Sequence, residues 1–204
     1  MKKAIGIIVI IFLQSNISVA QNSFEIGAVY SLMSEKLTHN EHSNAYNSQL
    51  FHSYGINGKG IFSSNIFVQG GLHIRNFGTN NTIQAPIAIV DDTPTEIGGQ
   101  SIDIPLNIGY YFFNNDKVRL GISLGVNNGF LLSQYHDYYG VMIETVPIYN
   151  DFIFQFNTSI EIGLRLTDNI ILDIKPIFQR QINSNNFSDY KQQGIGGQLG
   201  VSYD

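Results

Sequence analysis

Residues 152–166, FIFQFNTSIEIGLRL, alternate between two kinds of side chain along their whole length. Every second residue counted from Phe152 is apolar or threonine, whereas the residues between them include Gln155, Glu161 and Arg165. Successive side chains of a β-strand point to opposite faces, but the apolar residues of an amphipathic helix recur every three or four positions. The stretch is therefore predicted to be a strand with an apolar face and a mostly polar face.

The same alternation recurs on both sides of this stretch. It is clear in three further segments, 102–112, 118–126 and 170–182, and weaker in four others, 23–33, 49–61, 66–77 and 192–203. With residues 152–166 these segments make eight strands. The connectors alternate between short segments rich in Asn, Asp and Ser and long ones: 62–65, 114–117 and 167–169; then 34–48, 78–99, 134–150 and 183–191. Short turns at one end and long loops at the other are typical of an outer-membrane barrel. The pattern predicts an all-β fold, an eight-stranded antiparallel up-and-down transmembrane β-barrel.

The first twenty residues have the composition of a secretory signal peptide. Lys2 and Lys3 precede an apolar run at 4–13, and Ser18-Val19-Ala20 forms a cleavage site with small residues. The apolar run is too short to cross a bilayer as a helix. We predict a signal peptide at 1–20, with an uncleaved anchor as the alternative, and one barrel domain at 21–204.

Composition narrows the class of protein. Without Lys2 and Lys3 the chain keeps 9 basic against 16 acidic residues, so its net charge of −7 does not attract nucleic acid. The lack of cysteine excludes disulfides and thiolate metal sites. Only 13% of residues are charged, while the chain has 14 Phe and 11 Tyr. These proportions favour a membrane barrel over the alternative of a soluble, lipocalin-like ligand-binding barrel.

A membrane barrel turns its apolar faces outward, so the polar faces of the strands must line the interior. In this register eight charged side chains point inward: Glu25, Arg75, Asp103, Arg119, Glu161, Arg165, Asp173 and Lys175. Buried charges are costly unless they are paired, which predicts a salt-bridge network across the lumen. The network would fill a closed barrel, because eight strands leave room only for side chains. A narrow pore is the alternative.

The first long connector contains a histidine-rich cluster. His39 and His42 flank Glu41 and could hold a metal ion, but a loop tolerates such a cluster without function, and we predict no metal site. His73 is expected to be a hydrogen-bonded interior residue.

The third long connector is rich in tyrosine. Its binding candidates are Tyr135, His136, Tyr138 and Tyr139. They are typical of an adaptable contact surface, but also of an aromatic girdle at the membrane surface. A Ser/His enzyme modifying lipid at the barrel rim is a weaker alternative. The chain has no nucleophile-elbow, zinc-protease, Walker or dinucleotide motif, so we predict no enzyme, no catalytic residue and no cofactor.

Two prolines interrupt the predicted strands. Because proline has no N–H to donate to a neighbouring strand, Pro105 and Pro176 are each expected to mark a bulge or a local bend.

Three segments resemble the PorT-like outer-membrane β-barrel domain proteins. They are SIDIPLNIGYYF at 101–112, KVRLGISLG at 117–125 and GGQLGVSY at 196–203. The chain departs from that family at Asp204, since family barrels commonly end on an aromatic residue and Tyr203 is penultimate here. The resemblance implies a structural or interaction protein of the Gram-negative outer membrane, with outer-membrane lipid and envelope proteins as partners. One branch of the family is tied to protein secretion and gliding, and nothing in this chain indicates that branch.

Overall fold

The computed structural model describes residues 21–39, 49–62, 65–80, 96–138, 141–143, 152–183 and 190–204. They form nine strands: β1 Gln21–His39, β2 Gln49–Phe62, β3 Ile66–Asn80, β4 Glu96–Asn114, β5 Val118–Tyr138, β6 Val141–Ile143, β7 Phe152–Arg165, β8 Ile170–Gln181 and β9 Tyr190–Tyr203. The predicted signal peptide at 1–20 lies outside the described residues. No helix in the described part of the chain is both long and apolar enough to cross a membrane.

Eight of the strands close into a barrel. The ring runs β1–β2–β3–β4–β5–β7–β8–β9, and β9 pairs with β1 to complete it. Every neighbouring pair is antiparallel. The short strand β6 lies outside the ring and pairs with residues 136–138 at the end of β5. The predicted eight-stranded antiparallel barrel is confirmed.

The strands reach further at the long-loop end than the sequence predicted. β1 continues to His39, β4 begins at Glu96 and β5 continues to Tyr138, although 34–48, 78–99 and 134–150 were predicted as connectors. The pairing persists there, with Glu96 opposite Asp137. Alternation disappears from a sequence once both strand faces are polar, whereas the backbone hydrogen bonds of the ladder do not depend on side chains.

Neither proline produces a register shift. Pro105 stays opposite Asn127 of β5, and Pro176 stays opposite Gly197 of β9. On its other side each proline lies in a gap of the described ladder, and the same register resumes beyond the gap. The expectation of a bulge is wrong for both, because the missing N–H removes pairing on one side and leaves the spacing intact. The alternative of a local bend stays a prediction.

The two faces of the barrel wall have opposite chemistry. Large apolar side chains such as Leu50 (70% exposed) and Ile195 (66% exposed) face outward, while charged side chains are buried inside. Soluble proteins have the reverse arrangement. This interior argues against the lipocalin-like alternative, which needs an apolar cavity.

The short-turn end is closed by a small apolar cluster of Ile61, Phe67 and Tyr111. Asn65, in the tight turn between β2 and β3, has a φ of 62° and donates its N–H to the carbonyl of Phe62 at 3.0 Å. Asparagine adopts this left-handed conformation more readily than most residues, so the local sequence suits a tight connection.

Candidate functional site: the ionic interior

The interior charges come from every second residue of the strands, as the alternation requires. Seven of the eight predicted inward charges are buried, and Arg165 is half-buried near the short-turn end. Two further buried charges, Glu35 and Lys59, were not predicted. Glu35 was assigned to a connector, and Lys59 lies in a weakly alternating strand. If β1 is continued past residue 33, its odd-numbered residues still face inward, and Glu35 is one of them. On β2 the odd-numbered residues also face inward, and they include Lys59.

At the short-turn end, two cations share one carboxylate. Glu25 forms ion pairs with Arg119 and, at 3.5 Å, with Lys59. Lys59 Nζ also lies 3.2 Å from Asp173, whose other oxygen accepts a hydrogen bond from Ser202 at 2.9 Å. The cluster joins five strands, because its members lie on β1, β2, β5, β8 and β9. It therefore crosses the lumen rather than joining adjacent strands alone.

Lys59 connects this ionic cluster to the apolar cluster of Ile61, Phe67 and Tyr111. Its Nζ donates a hydrogen bond to the hydroxyl of Tyr111 at 3.0 Å and lies 5.6 Å from the centre of the Phe67 ring. Tyr111 and Phe67 also contact each other, with ring centres 4.6 Å apart. An ammonium group over aromatic faces is stabilised by the ring quadrupole.

The carboxylate of Asp204 lies at the mouth of the same end. It is 3.8 Å from Arg119 and 3.7 Å from Arg165. Asp204 is thus a second acid for Arg119, beside Glu25, and also pairs with Arg165.

In the middle of the barrel Lys175 forms an ion pair with Glu161 at 2.9 Å. Lys175 also donates a hydrogen bond to Gln69. Glu161 accepts hydrogen bonds from Ser123 at 2.8 Å and Ser159 at 3.1 Å. Both charges are therefore paired and hydrogen-bonded, as burial requires.

The long-loop end has a third cluster, centred on Arg75. Its guanidinium lies 2.5 Å from Glu35 and 3.5 Å from Asp103. It also donates hydrogen bonds to Gln155 at 2.8 Å and Gln192 at 3.3 Å. A planar guanidinium can serve several acceptors in fixed directions, which suits a residue that joins five strands.

A cavity of about 60 Å³ lies among these groups, between the middle and long-loop clusters. Asn107 and Asn127 line it, and the Oδ1 atom of each is buried with no hydrogen-bond partner among the described residues. His73 also lines it, with its Nε2 2.8 Å from Asn57 Oδ1, which confirms the predicted hydrogen-bonded interior histidine. The volume suits about two water molecules, and a second void measures only about 10 Å³. Buried polar side chains therefore occupy much of the described interior around these two voids.

The predicted binding candidates do not all lie in a loop. Tyr135, His136 and Tyr138 belong to β5, paired with β4 or β6, so their assignment to a connector is wrong. Tyr135 packs on β4, since a Cβ on Gly98 would lie 2.5 Å from its hydroxyl. Tyr139 lies outside the described residues.

The histidine-rich cluster of the first long connector is described only in part. His39 is the last residue of β1, whereas Glu41 and His42 lie outside the described residues. Among the side chains that are described, no group of three or more His, Asp or Glu could hold a metal ion.

The fold is shared with known outer-membrane proteins. No protein-family model and no curated protein sequence matches the chain. Among solved structures, it is similar to Neisserial surface protein A, with a TM-score of 0.50 and 12% identity over 87% of this chain and 96% of that one. It is also similar to the outer membrane protein OprG from Pseudomonas aeruginosa, with a TM-score of 0.51 and 10% identity over 90% of this chain and 96% of that one. At such low identity these likenesses establish the fold alone, and membership of the PorT-like family stays a prediction.

Proposed function

We propose that the chain is a small integral protein of a Gram-negative outer membrane, with a closed barrel that serves as a scaffold for contacts at its long-loop end. The observation that carries the proposal is the inverted wall, apolar outside and ionic inside. On β4 the outward face is apolar from Ile102 to Phe112. Ten steps of about 3.4 Å, tilted by about 40°, span a height of about 26 Å, which matches the apolar band of a transmembrane barrel.

Fractionation of the native host tests the location. We expect the protein in the outer-membrane fraction, with an unboiled form that migrates differently from the boiled form on a gel. The mature chain is expected to begin at Gln21, which N-terminal mass analysis would read directly. Recovery in the soluble periplasmic fraction would refute membrane insertion.

The closed scaffold is favoured over a narrow pore because ion pairs cross the lumen at both ends and Lys175 of β8 reaches Gln69 of β3 across its middle, beside a void of about 60 Å³. We therefore expect no steady channels in planar bilayers, while a porin reconstituted in parallel shows that the assay detects conductance. Reproducible single-channel steps from the purified barrel would establish the pore instead.

The contact surface is proposed to be the extension of β4, β5 and β6. β5 is the longest strand, with 21 residues, and it pairs with β4 as far as Glu96 and with β6 through Tyr138. A paired extension beyond the apolar band presents a rigid surface at low entropic cost. Envelope proteins that cross-link to the wild-type protein should be lost with Tyr138→Ala and retained with Tyr203→Ala, an exposed tyrosine at the other end. Equal recovery with both variants would contradict this placement.

The proposal includes no enzymatic activity. Replacing His136 with alanine is expected to leave the lipid composition of the outer membrane unchanged, and a changed lipid profile in that variant would overturn this part.

A further inference from the structure

The outer wall of the barrel carries two charged side chains among those that the structure describes on the strands. Lys36 of β1 and Arg180 of β8 both face outward and are exposed. Gln193 of β9 lies between them, paired with Lys36 on one side and Arg180 on the other. These three residues, the rim row, cross three adjacent strands at one register position.

The rim row differs from the interior in having cations without acids. Within the described chain neither Lys36 nor Arg180 lies within ion-pair distance of a carboxylate. Every buried cation has such a partner: Lys59, Arg75, Arg119 and Lys175. Neighbouring strands are about 4.8 Å apart, so the two cationic residues stand about 10 Å apart and their long side chains can converge on one anion.

The height of the rim row on the barrel wall indicates which kind of anion could reach it. Lys36 lies three residues from the end of β1, at the long-loop end. Ile195, two residues along β9 towards the short-turn end, is 66% exposed and apolar. The row thus lies where the apolar wall gives way to polar residues, which is the level of lipid headgroups in an inserted barrel.

We propose that the rim row binds the phosphate group of an anionic lipid in the leaflet at the long-loop end; this rests on the proposed membrane insertion. Arg180 supplies a planar pair of donors, Lys36 a point charge, and Gln193 an amide donor between them. The apolar wall below the row contacts the acyl chains of the same lipid. A soluble anion would make no use of that wall, which is why the assignment is to a lipid.

The chain has no tryptophan, so one introduced tryptophan reports on its own surroundings. Ile195→Trp places the reporter beside the row. Ile102→Trp on β4, which lies opposite β9 in the ring, is the matched reporter away from it. Each is reconstituted in vesicles of phosphatidylcholine mixed with brominated phosphatidylcholine or brominated phosphatidic acid, and fluorescence quenching gives the relative lipid binding constant.

At Ile195→Trp we expect phosphatidic acid to be preferred over phosphatidylcholine by roughly thirtyfold, the effect of two cations near a membrane surface. At Ile102→Trp the ratio should be close to one. Lys36→Gln with Arg180→Gln should abolish the preference, as should Gln193→Glu, which places a carboxylate between the cations. Lys117→Gln lowers the charge by one, as Gln193→Glu does, but in an exposed turn at the other end, and should change nothing.

Three results overturn parts of the argument in separate ways. If brominated phosphatidylcholine quenches neither reporter, the barrel is not inserted and the proposed function fails. If both reporters are quenched without a lipid preference, or the double variant keeps the preference, the rim row is not a phosphate site although insertion stands. If millimolar inorganic phosphate removes the preference while chloride of equal ionic strength does not, the row serves a soluble anion and the lipid assignment is wrong.

Discussion

Replacing Lys175 with methionine removes one charge of a buried ion pair without removing much volume. Lys175 is 4% exposed and Glu161 1% exposed, and their charged atoms are 2.9 Å apart. Among the described residues, this is the one ion pair recorded for either of them. Removing one partner of a buried pair typically costs about 3–5 kcal/mol, because the remaining charge is left in a poorly polarisable interior. The adjacent cavity of about 60 Å³ is large enough for about two waters that could hydrate the remaining charge, which places our expectation near the lower end, at about 3 kcal/mol.

Glu161→Gln in the same chain should recover most of this loss. The amide oxygen of glutamine can still accept the hydrogen bonds of Ser123 and Ser159, and no net charge remains buried. We expect the double variant to be less stable than wild type by about 1 kcal/mol, so the two changes are strongly coupled rather than additive.

The assay is reversible urea unfolding in short-chain phosphatidylcholine vesicles, followed by far-ultraviolet circular dichroism and by the gel shift of unboiled samples. Lys117→Met, at an exposed turn residue, is the matched control and should shift the free energy of unfolding by less than about 0.5 kcal/mol. A cost of under about 1 kcal/mol for Lys175→Met would refute a costly unpaired charge at Glu161. A double variant that is no more stable than Lys175→Met alone would refute it as well.

Two further pairs of variants compare similar residues in different surroundings, with the same unfolding assay. In Gly27→Ala the added Cβ would lie 2.6 Å from a backbone oxygen of β9, whereas in Gly197→Ala its nearest neighbour is 3.8 Å away. We expect the free energy of unfolding to fall by about 1–3 kcal/mol in the first variant and to stay unchanged in the second. Equal stability of the two variants would contradict this packing. Tyr111→Phe removes the acceptor of the Lys59 hydrogen bond and should cost about 1.5–3 kcal/mol. Tyr110 is exposed on the outer face of the same strand, and Tyr110→Phe should leave the free energy of unfolding unchanged. An equal loss of stability in both variants would show that the contact with Lys59 is not responsible.

The sequence predicted the strands best where their two faces differ most. Residues 152–166 alternate because one face meets the inside of the barrel and the other its surroundings, and β7 spans Phe152–Arg165. The prediction failed at the long-loop end, where β5 runs on to Tyr138. Beyond Ser133 neither face of β5 is consistently apolar, so the residue pattern there no longer indicates the pairing that the backbone groups make.

Weak contrast between the two strand faces also explains why two interior charges were not predicted. Glu35 lies two residues beyond the end of the predicted first strand, and Lys59 lies between Gly58 and Gly60, which weaken the alternation of β2. Each nonetheless lies on the inward face, because the side chains of a paired strand alternate between its two faces even where the residue types do not.

The sequence by itself determined the class of fold and the face on which each well-predicted charge lies, because alternation with a period of two is a local property of the chain. Only the tertiary structure decided which charges meet. Arg75 and Glu35 are 40 residues apart, and Lys59 and Asp173 are 114 apart. Such partners depend on strand order, register and closure of the ring, which no local pattern records. The outer rim row of Lys36, Gln193 and Arg180 has the same origin, since β9 must lie between β1 and β8 before these residues can share a row.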